Sequence, residues 1–349
     1  MAYTTIDNPG LYFNTVVYAG SNSDQSITGV GFQPDWVWIK NRSSTPSHML
    51  NDVVRGAGKQ MNSDNNNAEL DRTYFISFDS DGFTLDGNVS DYNQNSSNFV
   101  SWNWKAGGST SSNGNGSITS TVSHNSTSGF SIGTYTGNGT AGATVGHGLG
   151  ATPDVLIVKE RGNTNSWIFS HKNLTDQSGY YLLLNSDDAQ ATDDFFNNTS
   201  PTSTVFSTNS TPTNRSSGTY VFYAFKEVKG YSKFGSYKGN GNADGTFIYT
   251  GFKPAFFMIK RITGAGYGWF LYDNKRQFSF NVIDDFLYPN ANDAETTGNA
   301  NQSLDFLSNG VKHRGNGQSS NSNGVEFIYM AFAETPFVTA GTKAAGTAR

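Results

Sequence analysis

Three stretches of this chain follow one pattern in one order, and that repetition constrains the fold more than any other feature of the sequence. Each stretch opens with a run ending in Tyr and a glycine turn: VVYAGSN at 16–22, GTYTGNG at 133–139 and GSYKGNG at 235–241. A Gly/Pro step then leads into an apolar run that stops at a basic pair: GFQPDWVWIKNR (31–42), GATPDVLIVKER (150–161) and GFKPAFFMIKR (251–261). Each stretch closes on an aromatic run: NFVSWNWK (98–105), TYVFYAFK (219–226) and EFIYMAFA (326–333). The landmarks keep step, because Pro34, Pro153 and Pro254 recur at about 100–120 residues, and so do the closing aromatics Trp104, Phe225 and Phe332. Two weaker likenesses join them: SDGFTL (80–85) with SNGVKH (308–313), and SWIFSH (166–171) with YGWFLYD (267–273). The first copy holds SHMLND (47–52) at the latter place, with His48 where the others have Trp.

The repeated runs are rich in Val, Ile, Phe, Trp and Tyr, which predicts β-strands. In DWVWIK, alternation puts Trp36, Trp38 and Lys40 on one face and Val37 and Ile39 on the other. Both faces are largely apolar, so the strand is expected to be covered on both sides. The prolines sit where a strand begins and a missing N–H is tolerated. Asn-Gly in YTGNG and YKGNG suits a type I′ hairpin turn. Units of this size match β-sandwiches better than propeller blades, which need only about 40–50 residues. The expected fold is therefore all-β, with three tandem, jelly-roll-like β-sandwich modules at 1–108, 129–229 and 230–337. Segment 109–128, rich in Gly, Ser, Thr and Asn, reads as a loose linker in which SITSTVS could add a strand. No spacer separates the second and third modules, so those two are expected to pack tightly. The apolar-poor tail 338–349 reads as an exposed arm. Short helical turns are conceivable at 187–196 and 278–289, but neither is well capped.

Composition narrows the function classes. Charged residues are 15% of the chain, against about 25% in a typical soluble domain. Its polar surface must come largely from Asn, Ser, Thr and Gly, while 14% aromatics still allow a core. The net charge is −5 and basic residues form no stripe, which argues against nucleic-acid binding. The absence of cysteine excludes disulfides and thiolate metal sites. No run approaches the roughly 20 apolar residues that span a bilayer, so membrane insertion is not expected. MAYTTIDNPG lacks the basic and apolar regions of a secretory signal. The protein is expected to act in the cytosol or to be assembled there into something released by lysis.

A search for chemistry finds framework. Gly137, Gly139 and Gly142 match GxGxxG formally, but ATVGHGLGATPD follows where dinucleotide binding needs a helix, so the motif reads as a turn. None of His48, His124, His147, His171 and His313 stands at a metal-ligand spacing from another. The carboxylate pairs Asp79/Asp81, Asp187/Asp188, Asp193/Asp194 and Asp284/Asp285 do not recur in all three copies, and none completes a linear calcium loop. No catalytic residue, cofactor site or metal site is therefore assigned. The basic pairs Lys40/Arg42, Lys159/Arg161 and Lys260/Arg261 admit two readings: a repeated contact point for a glycan, phosphate or partner, or strand ends leaving the core with the lysine stem laid over aromatics.

The motifs QPDWVWIKNR (33–42), HMLNDVVRGA (48–57), SDGFTLDGN (80–88), WNWKAGG (102–108), HGLGATPD (147–154), GYSKFGSY (230–237) and YMAFAETPF (329–337) carry a further likeness. Together with YTGNGT and GFKPAFFMIKR they resemble an uncharacterised repeat-containing family of virion structural proteins of marine bacteriophages, over nearly the whole chain. That resemblance implies a non-enzymatic protein on the particle exterior, in a capsid-decorating, tail-adaptor or tail-fibre role. It defines no catalytic residues. Other virion proteins, copies of itself and host surface glycans are the expected partners. The first module begins near Leu11, which favours docking through a folded module. A carbohydrate-binding adhesin is the competing expectation, and a glycan-degrading enzyme stands third.

Overall fold

The computed structural model describes residues 3–209, 211–277 and 281–339. It is built almost wholly of antiparallel strands, and three main sheets share one strand order. In the first, the opening strand Phe13–Ala19 pairs with the closing strand Asn98–Trp104. That strand pairs with the proline-led strand Trp36–Asn41, which pairs with Met49–Asp52. The second orders Phe130–Thr136, Thr219–Phe225, Val155–Glu160 and Ile168–His171 in the same way, and the third orders Ser232–Lys238, Glu326–Pro336, Phe252–Arg261 and Phe270–Asp273. The register matches too. Trp104 lies opposite Phe13 and Trp36, Phe225 opposite Phe130 and Val155, and Phe332 opposite Ser232 and Phe256.

Every residue of Trp36–Asn41 and Val155–Glu160 is buried, as expected of strands covered on both faces. The alternation has a specific use. Trp36 and Trp38 enter a large core shared by all three main sheets, while Val37 and Ile39 face a smaller core of their own unit. That smaller core is closed by a second sheet of strands Gln25–Ile27, Gly82–Leu85 and Phe75–Asp79, forming a sandwich. Strands Ala143–Gly146 and Val205–Thr208 cover the second main sheet, and Phe247–Tyr249, Gly310–His313 and Leu304–Leu307 the third.

The shared core alters the expected arrangement. Trp104 and Phe332 meet with ring centroids 5.7 Å apart, Phe225 and Phe332 at 5.9 Å, and Trp36 stacks on Tyr223 at 4.5 Å. The first unit is therefore packed as closely as the second and third are to each other. The chain start closes the arrangement: Ile6 joins the shared core, Tyr12 packs on Tyr231, and the Tyr3 hydroxyl donates to the Gly251 carbonyl at 2.7 Å.

Several local expectations are corrected. Segment 109–128 is not a loose linker throughout, and part of SITSTVS does form a strand. Ser111–Asn113 and Ser120–Asn125 extend the second main sheet beyond its opening strand, because Val122 and Ile118 can bury themselves against that unit's core. The YTGNG and YKGNG turns are not type I′ hairpins. Gly139 and Gly241 have positive φ but Asn138 and Asn240 do not, and the chain crosses there from a main sheet to a small one. Pro34 and Pro153 precede their strands, whereas Pro254 lies inside a longer strand, where irregular register accommodates it. Neither suggested helical segment forms a helix among its described residues. Segment 187–196 holds the short strand Ala191–Thr192, and 281–289 makes isolated bridges, while residues 278–280 lie outside the described residues. So does 340–349 of the expected C-terminal arm.

Candidate functional site

The recurrent basic residues were the strongest sequence candidates for a contact point, and their positions decide against either reading in its simple form. Lys40, Lys159 and Lys260 are buried at the ends of the proline-led strands. Each ammonium is held by carbonyls. Lys40 Nζ donates to Asn41, Pro46 and Asn292 at 2.8, 2.9 and 3.2 Å, Lys159 Nζ to Glu160 and Asn163 at 2.6 and 3.2 Å, and Lys260 Nζ to Tyr267 and Asp187 at 2.6 and 3.2 Å. Burial pushes all three down to about 8, against the pull of nearby carboxylates. These lysines neither leave the core nor present charge to a partner. They tie loops to the sheet, and in two cases the loop belongs to a neighbouring unit.

The arginines beyond them join units. Glu69 of the first unit takes Arg161 of the second at 2.7 Å and Arg55 of its own unit at 3.1 Å, and Arg55 also pairs with Asp52. Tyr223 of the second unit donates to the same Asp52 at 2.7 Å. A matching network joins third to first: Glu295 takes Arg276 and Arg42 at 2.7 Å each, Arg276 pairs with Asp273, and the Trp102 indole donates to Asp273 at 3.0 Å. Burial alone would raise the Asp273 carboxyl, but the Arg276 guanidinium beside it holds it below its ordinary value.

The junction of second and third is different. His171 stands at the register of Asp52 and Asp273, since the three face Val155, Trp36 and Phe256. Gln190 donates its backbone N–H to Ile262, as Glu69 does to Arg161 and Glu295 to Arg42. Leu174 and Ile262 lie in the shared core. At this register apolar and neutral groups thus replace the ion network, and an ion pair joins second to third elsewhere, between Glu227 and Lys233 at 2.8 Å. Arg261 is not the counterpart of Arg42 and Arg161, and instead packs its guanidinium over the Tyr267 ring.

Most of the other groups that could carry chemistry are similarly engaged, but the buried His313 has no hydrogen-bond partner at either ring nitrogen among the described residues. His147 and His171 each face a carbonyl through Nε2, at 3.1 Å (Thr202) and 3.2 Å (Tyr329), and each accepts a backbone N–H at Nδ1. His48 accepts the Trp38 indole N–H at 2.8 Å. Asp81 binds the backbone N–H groups of Gly29 and Gly31 and is lowered by them. Among the described residues, no group of three His, Asp or Glu side chains is placed to hold a metal. The described surface carries shallow clefts. One of about 490 Å³ lies in the second unit beside Tyr181, Phe195, Asp193 and Asp194. Another of about 300 Å³ lies beside Tyr3, Lys229 and Tyr249.

Residues 8–336 match the model of a family described as Domain of unknown function (DUF7483). The chain belongs to this family. No curated protein and no solved structure matches it.

One buried device of this DUF7483 chain escaped the sequence reading. Asn93, Asn214 and Asn321 are fully buried, one per unit. Asn214 Oδ1 accepts from the Asn138 N–H at 2.8 Å and its amide donates to the Thr140 carbonyl at 2.7 Å. Asn321 does the same for Asn240 and Asn242 at 3.0 and 2.9 Å, and Asn93 binds the Ser21 N–H and Ser23 carbonyl at 2.8 and 3.0 Å. The tyrosine before each turn completes the latch. Tyr18, Tyr135 and Tyr237 donate to the carbonyls of Tyr92, Thr213 and Ser320, the residues preceding each Asn. The available signal was a single Asn a few residues ahead of each closing strand, hidden in a chain full of Asn.

Proposed function

We propose that this protein is a non-enzymatic structural component of the exterior of a bacteriophage particle, in a capsid-decorating, tail-adaptor or tail-fibre role. The observation that carries the reading is the use of the recurring residues. The landmark prolines, lysines and aromatics all lie inside, holding three sheets about one core, so that what repeats along the chain is rigidity. A particle component needs a stiff unit with outward loops, and the three sandwiches supply both. The phage setting itself comes from the resemblance of the sequence motifs.

The test is the protein's location. Particles purified through a density gradient are analysed by mass spectrometry and labelled with antibody against the chain. The expected result is stoichiometric recovery with the particles and surface labelling. Recovery only in the soluble fraction of the lysate would refute the proposal. Incubation with host envelope polysaccharides is expected to release no new reducing ends. The competing adhesin reading is favoured by one observation, an exposed aromatic cleft in the third unit.

A further inference from the structure

The small sheets provide an internal comparison of what the fold requires on its surface. In the strands Gln25–Ile27, Ala143–Gly146 and Phe247–Tyr249, the residues Ile27, Val145 and Ile248 stand at one register, opposite Phe83, Phe206 and Val311, and turn inward. The flanking positions face the other way. In the first unit they are Ser26 and Thr28, and in the second Thr144 and Gly146. In the third they are Phe247 and Tyr249, which remain 44% and 54% exposed. The first unit shows that the sandwich does not need aromatic rings there, because it leaves Ser26 and Thr28 exposed at that register, whereas in the second Gly146 is buried against Asn113.

The surroundings of Tyr249 are also particular to this unit. The chain start brings in Tyr3, whose hydroxyl lies 3.4 Å from that of Tyr249. The exposed Lys229 sets its ammonium 4.7 Å from the centre of the Tyr3 ring. Glu227 in the same cleft is taken on both oxygens, by Lys233 and by Lys172, at 2.8 Å each. Lys229 has no carboxylate partner among the described residues. The cleft thus offers aromatic faces, two phenol hydroxyls and an uncompensated cation.

We propose that the cleft formed by Tyr3, Tyr249 and Lys229, extended along the strand by Phe247, binds an acidic saccharide. The apolar C–H face of a pyranose covers an exposed ring, its hydroxyls reach the two phenols, and its carboxylate pairs with Lys229. Size favours a saccharide over a protein. The cleft holds about 300 Å³, the lower end of small-ligand sites. Two aromatic residues about half exposed offer on the order of 200 Å², whereas a stable protein interface needs about 800 Å² per partner. The assignment holds wherever the protein resides, and its test uses the isolated chain.

The purified full chain is titrated calorimetrically at low salt with tetramers of galacturonic acid and of α2,8-linked sialic acid, and with maltotetraose as the neutral control. At least one acidic tetramer is expected to bind with Kd of about 1 mM or tighter, and maltotetraose about tenfold more weakly. Tyr249→Ala should weaken acidic binding about tenfold, and Lys229→Gln should abolish the preference over maltotetraose. Both side chains are exposed, so unchanged thermal midpoints should accompany both effects. Absence of binding by both acidic tetramers, or binding indifferent to both substitutions, would overturn the assignment. So would a Tyr249→Ala effect confined to the sedimentation behaviour of the free protein, which would make the patch a protein contact.

Discussion

At the scale of single residues, the notable feature is charge placed inside. Arg55, Asp52, Arg276 and Asp273 are buried, and each is matched by a partner and further hydrogen bonds. Taking one partner away strands the other in a low-dielectric interior, at a cost of about 3–5 kcal/mol. Asp273→Ala is expected to destabilise the fold by that amount in urea unfolding. The apolar contact at Ile262 between the second and third units offers the contrast, since Ile262→Ala should cost about 2–4 kcal/mol through lost packing alone and should show no dependence on salt. The lysines give a pH signature. Their folded value of about 8 lies below the ordinary 10.5, so the unfolded chain binds more protons between those limits. Stability should therefore rise as pH increases from about 8 towards 10, before unfolded tyrosines begin to ionise. Lys40→Met combined with Lys159→Met and Lys260→Met should flatten that rise in thermal denaturation. The buried histidines act at the other end. His171 and His313 are held down to about 3 chiefly by burial, so stability should fall as pH drops from about 6.5 towards 3.

At the scale of elements, the turns are fixed from a distance. A glycine turn between two different sheets has no ladder to hold it, and a buried Asn with a tyrosine hydroxyl supplies the missing hydrogen bonds. Asn214→Ala would leave the Asn138 N–H and Thr140 carbonyl without that partner, at a cost of about 1–3 kcal/mol. The same substitution at Asn93 or Asn321 should have a similar effect, and a thermal shift in only one of the three would contradict a shared role. Strand edges tell a related story. The Ser120–Asn125 strand occupies the outer edge of one opening strand through backbone pairing, which polar residues serve as well as apolar ones. That explains how a segment with linker composition becomes sheet.

At the scale of the molecule, three sandwiches close into a ring about one aromatic core. The joining is directional. Trp167 donates its indole N–H back to Asn62 of the first unit at 2.8 Å, Trp269 donates to Leu183 of the second at 3.0 Å, and the third reaches forward to the first through Glu295 and Arg42. No unit keeps its buried face covered when alone. Calorimetry is therefore expected to show one cooperative transition for the whole chain, and a fragment of residues 1–108 should fail to give a dispersed NMR spectrum. Two separated transitions would contradict the shared core.

The strand landmarks were legible in the sequence because β-structure announces itself locally: alternation, β-branched and aromatic residues, and proline or glycine at the ends all act within a few residues. The same locality explains why Trp36–Asn41 could be read as covered on both faces, although what covered them could not. Which surface meets Trp36, whether Lys40 ends in water or among carbonyls, and whether Arg42 finds Glu295 depend on groups far apart in the chain. Their pairing is set by how the three sheets close, because burial and electrostatics act through space between residues that no sequence interval relates.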